Sequence, residues 1–442
     1  MSKSTEEKGL NISAKSFITA IAVIFVLMVL TYGLTFVVPG GKIPFWKWIL
    51  SPVLVLGAKD NVSLIAVLIF LLVIGGVFNC LDKCGLMKYM LDRITYRFGK
   101  ERYKLLALVT LFFMAMGSFI GSFEECVPLV PIVVALAIRL GWDALTGMGM
   151  SLLAIGCGFA AGVCNPFTVG VAQELAGLPM FSGVWFRIIA FFFVYALLVG
   201  FLFHHAKRIE KPLSVNVSDD SFSANQKMDK GLICFASLMV CGIVIVLSSV
   251  FITALQDYTM IIVAVTFLAA GIVSSLISGM GSRLGFVFWN GLVSVLPAVL
   301  MILMANSIKY TLVEGNILDT ILQAAVGAAQ TLPRWAVILF IYLIVLVMNF
   351  FIASGSAKAF LLIPLIVPVA EVFGISAQLC VVAYAFGDGF SNVFYPTNPV
   401  LLISLGLADV DYGKWVKWSW KFQVMNLALT SGLLLLGLMI GY

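Results

Sequence analysis

Long apolar runs separated by short polar clusters dominate the chain, and their lengths predict its elements. A membrane-spanning helix needs about 20 apolar residues. The runs 16–38, 61–80, 184–203, 231–254, 259–277, 285–307 and 418–440 meet that requirement. Two further runs, 105–140 and 335–373, are long enough for two passes, yet a small polar cluster interrupts each near its middle. The first cluster reads Gly117-Ser118-Phe119-Ile120-Gly121-Ser122-Phe123-Glu124-Glu125, and the second Ala353-Ser354-Gly355-Ser356-Ala357-Lys358. A half-helix of about 15 residues rises only about 22 Å, short of the roughly 30 Å hydrocarbon core. Each run therefore predicts a re-entrant hairpin whose tip lies near the membrane midplane. Irregular backbone at that depth requires cover from protein or a water-filled cavity.

A helix that breaks follows each hairpin. Residues 145–177 contain Cys164-Asn165-Pro166-Phe167-Thr168, and residues 377–407 contain Tyr395-Pro396-Thr397-Asn398-Pro399. Proline removes an amide donor and displaces the preceding turn, so both helices are expected to split there. These features repeat without a gap. Adding 233 carries Pro131 to Pro364, Gly141 to Gly374, Asn165 to Asn398 and Pro166 to Pro399, and it places Glu125 on Lys358 and Ser122 on Gly355. Amphipathic stretches around 81–104 and 314–333 precede the two hairpins and suit helices lying along the interface.

The positive residues set the orientation. With the N-terminus inside, 81–104 is cytoplasmic and carries Lys83, Lys88, Arg93, Arg97, Lys100, Arg102 and Lys104. The polar loop 204–230, with Lys207, Arg208, Lys211, Lys227 and Lys230, lies on the same side. The run 231–254 has no counterpart in the first half, and this odd crossing inverts the second repeat. On this topology 20 of the 27 basic residues face the cytoplasm, and the C-terminus is external. The run 16–38 is longer than the 7–15 residues of a signal-peptide core, and no small-residue cleavage site follows it, so a spanning helix is expected there.

Composition narrows the class. The 442 residues are 62% apolar and 11% charged, against roughly 25% charged in a soluble domain. That excludes a soluble enzyme, a disordered chain, a small disulfide scaffold and nucleic-acid binding through a basic surface. The eight cysteines lie in or beside apolar runs without a CxxC or neighbouring histidine, which reads as packing rather than metal ligation. The fold class expected is an all-α polytopic membrane protein of two inverted-topology repeats. Inverted repeats with broken helices are a feature of secondary transporters, which bind near the midplane where the repeats meet. Amide groups at a half-helix start suit a carboxylate, and carbonyls with Ser, Thr or Asn oxygens suit Na⁺.

The motifs GSFEE…GFAAGVCNPFTVGVAQ and MNFFIASGSAK…AFGDGFSNVFYPTNP resemble the C4-dicarboxylate anaerobic carrier-like family of the ion transporter superfamily, which includes basic amino-acid antiporters of the arginine/ornithine type. The resemblance implies a scaffold domain, a moving transport domain, elevator-type alternating access and a homodimer in the bacterial inner membrane. On that basis 1–104 holds scaffold helices and the cytoplasmic interfacial arm, 105–183 the first hairpin and broken helix of the transport domain, and 184–230 a scaffold-side helix with its loop. Residues 231–258 form a linker helix, 259–334 scaffold helices and an external arm, 335–407 the second hairpin and broken helix, and 408–442 the final helix.

The candidate site residues lie at these discontinuities. Substrate-binding candidates are Glu124, Glu125, Ser122, Asn165, Ser356, Lys358, Thr397 and Asn398, and ion-coupling candidates are Ser118, Thr168, Ser354, Asp388, Ser391 and Asn392. An unpaired carboxylate near the midplane is costly, so Glu124 and Glu125 read either as ligands for a substrate cation or proton, or as partners of an internal pair with Lys358. Lys358 reads equally as the holder of a substrate carboxylate. Asp388, between Gly387 and Gly389, shares a helix face with Ser391 and Asn392. It reads as a proton or Na⁺ site, as a cation-recognition group, or as packing. Trp46, Trp48, Trp415 and Trp418 suit an aromatic belt, and His204 and His205 an interface. No GxxxxGK[ST] supports an ATP-driven pump, and no nucleophile–His pair or HExxH supports an enzyme. A secondary transporter of a carboxylate-bearing metabolite follows, amino acids and particularly basic ones first, with a C4-dicarboxylate carrier as the alternative. No cofactor is expected beyond Na⁺ or H⁺ as coupling ion, and the partners expected are a small-molecule substrate and the bilayer.

Overall fold

The computed structural model describes residues 14–38, 41–57, 62–121, 123–212, 225–248, 259–315 and 331–442, with 317, 320, 327 and 328 besides. Ser122, the side chains of Glu124 and Glu125, and most of the 314–333 stretch lie outside the described residues. Every regular element among the described residues is a helix. Seven helical runs among them are long and apolar enough to cross a membrane: Leu86–Phe119, Ala144–Leu175, Val184–Ile209, Gly281–Glu314, Arg334–Phe351, Gly355–Val372 and Tyr412–Ile440. The chain is a multi-pass membrane protein.

Single helices cover most of the simple runs, as Ala14–Val37, Val62–Lys83, Val184–Ile209, Gln226–Ser248, Thr259–Ile277 and Tyr412–Ile440. The last starts where the Asp411 carboxylate accepts the Lys414 amide at 3.2 Å, a cap that satisfies one of the free donors of a helix start. The run 285–307 departs from expectation. It is two helices, Leu284–Ser294 and Leu296–Glu314, meeting at a turn on Val295. Pro297 sits in the first turn of the second helix, where its ring and missing donor disrupt a continuous helix.

Both polar clusters are helix reversals. The first arm runs Arg102–Ala115, continues through a π turn at Met116–Ile120, and reverses at Gly121, whose φ is 75°. The chain returns through Glu124–Leu129 and Val130–Arg139. The second pair is Arg334–Phe351 and Gly355–Val372, joined through an extended Ile352 and the Ser354 cap. Both following helices break. The first ends at Ala161 and restarts at Pro166, capped by Asn165, and the second ends at Val393 and restarts at Pro399, capped by Asn398.

Element boundaries also recur at a spacing of 233. The shift carries Arg139 to Val372, each the last residue of a hairpin's return arm, and Pro166 to Pro399, each the first residue of a second half-helix. Val62–Lys83 falls on 295–316, where the helix is Leu296–Glu314.

Packing crosses the two halves. The return arm Gly355–Val372 packs on the second half of the first broken helix, Pro166–Leu175, and the half-helix Pro399–Leu407 packs on the first return arm. The two broken helices touch where Ala154–Ala161 meets Ala377–Gly389. At that crossing Gly389 lies against the backbone of Ala160, where a β-carbon would clash, so the small residue sets the separation. The helices 14–37, 62–83, 226–248, 259–277 and 284–314 pack mainly on one another.

Ion pairs join stretches that the charge pattern assigns to one side. Asp92 pairs with Arg139, Arg93 with Asp229, Arg102 with Glu210, and Asp143 with His205 at 3.2 Å. Lys47 and Glu314, both assigned to the opposite side, pair with each other. Two members of the expected aromatic belt are core residues instead. Trp48 and Trp415 are buried, and their indoles donate to Met28 O at 3.1 Å and Val393 O at 2.7 Å. The Val393 carbonyl, left free at the second break, needs such a donor, and an indole supplies one while filling apolar space.

Candidate functional site

The site grows from the second hairpin. Lys358 stands in the first turn of Gly355–Val372, and its ammonium is fully buried. A buried charge costs several kcal/mol unless it is paired and hydrogen-bonded. Asp388, also fully buried, supplies the ion pair from Ala377–Gly389 through Oδ1. Lys358 donates as well to Asn349 Oδ1 and to the Ile352 carbonyl, the latter at 3.2 Å. Glu125, the other partner considered for Lys358, has its side chain outside the described residues. Lys358 and Asp388 belong to one half, brought together by the packing of Gly355–Val372 on Ala377–Gly389.

Asn349 organises the rest. Its amide nitrogen faces Ser391 Oγ at 2.6 Å, Asn392 Oδ1 at 3.0 Å and Asp388 O at 3.1 Å. Asn392 donates to Asp388 O at 2.6 Å, and Asn398 donates to Asn392 Oδ1 at 2.9 Å. Ser391 donates to Gly387 O at 2.8 Å, and Thr397 to Phe350 O at 2.6 Å. Asn398 Oδ1 meanwhile caps Val400 N at 2.9 Å. Asp388, Ser391, Asn392, Asn398 and Lys358 are thus joined in one buried network, and only Asp388 Oδ2 lacks a partner among the described residues.

The first half is built alike but left less satisfied. Asn165 Oδ1 accepts from Phe167 N at 2.9 Å and Thr168 N at 3.3 Å, while its Nδ2 has no partner among the described residues. Thr168 Oγ1 has none either. Both residues are fully buried. Gly355 joins the two halves: a β-carbon there would stand 2.5 Å from Thr168 Cγ2 and 2.6 Å from Asp388 Oδ2. Thr168 and Asp388 Oδ2 therefore meet across Gly355, where the first break meets the second hairpin, while the Asn165 amide lies against Gly121 at the turn of the first hairpin. A buried group left without a partner costs about 1–3 kcal/mol, so such a cluster marks a place that a ligand completes. For a bare cation, the side-chain oxygens left without partners here among the described residues are Asp388 Oδ2 and Thr168 Oγ1.

Other candidates have structural work. Ser118 braces the first break, its hydroxyl accepting from Val163 N at 3.0 Å and its carbonyl from Cys164 N at 3.1 Å. Ser354 caps its helix and is exposed, and Ser356 is half-buried without joining the network. Two polar residues were not singled out by the sequence pattern. Asn349 is a lone amide in an apolar arm. Arg187 is a fully buried cation in Val184–Ile209 that donates to Val163 O at 3.2 and 3.3 Å, Ser182 O at 2.9 Å and Phe181 O at 3.3 Å. A lone ionisable residue inside a spanning run is the signal that could have found Arg187.

The chain is similar to several known proteins. The family model described as C4-dicarboxylate anaerobic carrier (DcuC) matches residues 50–439. An Escherichia coli K12 protein described as "Putative basic amino acid antiporter YfcC" is 32% identical over 385 residues, covering 82% of this chain and 75% of its own. A Haemophilus influenzae protein of undescribed function is 24% identical over 380 residues, covering 81% and 72%. Among solved structures, the YdaH transporter of Alcanivorax borkumensis aligns over 96% of this chain and 99% of its own, with 17% identity and a TM-score of 0.48. Neisseria gonorrhoeae MtrF, from work on antimetabolite efflux pumps, aligns over 94% of each chain at 16% identity and a TM-score of 0.44.

Proposed function

We propose, on the premise that the chain belongs to the C4-dicarboxylate anaerobic carrier family, that it is a secondary active transporter of a carboxylate-bearing metabolite, with basic amino acids first. The observation that carries this reading is the opposite hydrogen-bonding character of the buried groups around the first break that lack partners among the described residues. Asn165 Nδ2 is a donor suited to a carboxylate, and it sits at a half-helix start where the dipole favours an anion. Asp388 Oδ2 and Thr168 Oγ1 are acceptors suited to an ammonium or guanidinium. A zwitterion completes all three.

Binding of a C4-dicarboxylate at the same place is the second reading, and the Lys358 cation favours it. Its commitment to Asp388, Asn349 and Ile352 weighs toward the amino acid. The description of YfcC agrees with that preference. The recurrence at 233 residues and the crossed packing support two inverted repeats. In this reading the hairpins and broken helices move against the scaffold helices, in a homodimer of the bacterial inner membrane, with the N-terminus cytoplasmic and the C-terminus external.

Uptake by purified protein in liposomes tests the proposal, using labelled arginine, ornithine, aspartate and succinate with Na⁺ and pH gradients imposed separately. Saturable uptake of arginine or ornithine with counterflow is expected. Uptake of succinate alone selects the dicarboxylate reading, and release of a chemically altered product overturns transport altogether.

A further inference from the structure

We propose that Lys358 is a tethered cation: its ammonium fills, at Asp388, the seat that a free coupling Na⁺ would take, and so makes transport independent of Na⁺. The inference rests on the transporter reading and goes beyond it by assigning what occupies the cation seat of the second half.

The surroundings of Nζ are those of a bound monovalent cation. It meets a carboxylate oxygen of Asp388, an amide oxygen of Asn349 and the carbonyl oxygen of Ile352, and all three bonds are to oxygen. Carboxylate, amide and carbonyl oxygens in a closed group are the ligands that hard cations select. The Ile352 carbonyl belongs to extended backbone, with φ −124° and ψ 94°, where it is released from the helical hydrogen-bond ladder. Asn349 is held in turn by Ser391, Asn392 and the Asp388 carbonyl. The cage is therefore built around the cation and does not fold onto it by accident. An alkyl stem anchored in the first turn of Gly355–Val372 supplies the charge permanently.

The first break repeats the device with a different side chain. Carbonyls at the end of the half-helix Ala154–Ala161 would suit a cation, and the Arg187 guanidinium holds the Val163 carbonyl there at 3.2 and 3.3 Å. A covalently attached cation thus stands beside each break. The acceptor that remains, Asp388 Oδ2, faces Gly355 and Thr168, which leaves it to the substrate's own cationic group.

Two measurements on the full-length protein test this. In liposomes, wild-type uptake or counterflow of arginine, ornithine, aspartate or succinate is compared in sodium chloride and choline chloride at equal ionic strength. Rates equal within about twofold are expected, and a loss of roughly tenfold or more in choline, about 1.4 kcal/mol, overturns the proposal. The second measurement needs no substrate, so it stands even if the transporter reading fails. Thermal unfolding of the detergent-solubilised protein is followed while Na⁺ replaces choline. The wild type should show no shift. Lys358→Met empties the seat and should gain a saturable, Na⁺-dependent rise in Tm, as linkage requires when an ion binds only the folded state. The double variant Lys358→Met/Asp388→Asn, which removes the carboxylate as well, should lose that gain. A Na⁺-dependent rise in the wild type, or a folded Lys358→Met that ignores Na⁺, overturns the inference. If Lys358→Met folds in neither salt, the wild-type comparisons decide.

Discussion

Lys358 and Asp388 show how far a lone charge in an apolar run can be read. Both stood out because almost nothing else charged lies inside the spanning segments, and burial without compensation is costly. Their pairing did not stand out, because nothing in the spacing of 30 residues forces two helices to meet. Asn349 is hidden for the same reason, since an amide in an apolar arm looks like interhelical glue until its partners are known. Asp388→Asn should destabilise by about 3–5 kcal/mol by leaving the ammonium buried without its counter-charge. Lys358→Met/Asp388→Asn should recover most of that loss, and a thermodynamic cycle on the purified variants measures the coupling. Asn165 permits a sharper separation of roles. Asn165→Asp keeps the oxygen that caps Phe167 and Thr168 but replaces the Nδ2 donor with an acceptor. Uptake of a carboxylate-bearing substrate should fall at least about tenfold; the buried carboxyl also lowers Tm, so uptake is compared per folded protein below the variant's Tm. Outside the membrane segments, burial pushes the Asp143 carboxyl up, but hydrogen bonds from His205 and Thr146 outweigh it and hold the group below the ordinary aspartate value. A depressed carboxyl contributes stability that is present above its unfolded value, about 3.9, and lost as pH falls through the folded value. The difference in Tm between wild type and Asp143→Asn should therefore shrink on acidification below about pH 4.

At the scale of elements, proline and glycine carried most of the legible information. Pro166 and Pro399 open the second half-helices as the sequence suggests, and the polar clusters mark the reversals. The turn at Val295 was hidden because Pro297 lies in an otherwise uniform apolar run, and apolar length alone cannot tell a straight helix from a bent one. Tryptophans misled for a related reason: the same residue type serves at an interface and in a core, and only packing decides. Trp415 is the instructive case, because its indole fastens the final helix to the carbonyl of Val393 at the second break. Trp415→Phe should cost about 1–3 kcal/mol through the carbonyl left without a donor. Trp46→Phe, at an exposed position, should stay within about 0.5 kcal/mol. Thermal melts of the two variants beside wild type check the contrast.

The whole molecule was legible in outline, since two hairpins and two broken helices in one register leave few arrangements. What the sequence could not give was the exchange of partners between halves, in which each return arm packs on the other half's broken helix. That exchange depends on shape at the crossing of the broken helices, where Gly389 meets Ala160. One consequence is testable without a substrate. Because each half supplies the packing the other lacks, fragments 1–216 and 217–442, divided within the polar stretch between Val184–Ile209 and Gln226–Ser248, should assemble when co-expressed. Co-purification of the two through a tag on either one checks this, and neither fragment should accumulate alone. The Lys358–Asp388 pair has a further, electrical consequence. Moving one elementary charge through a membrane potential is worth about 2.3 kcal/mol per 100 mV, so a carrier with a lone lysine or a lone aspartate would feel the voltage in every half-cycle. Joined in one buried pair, the two make a neutral unit, so under the proposed movement of the second hairpin the voltage would do no net work on them.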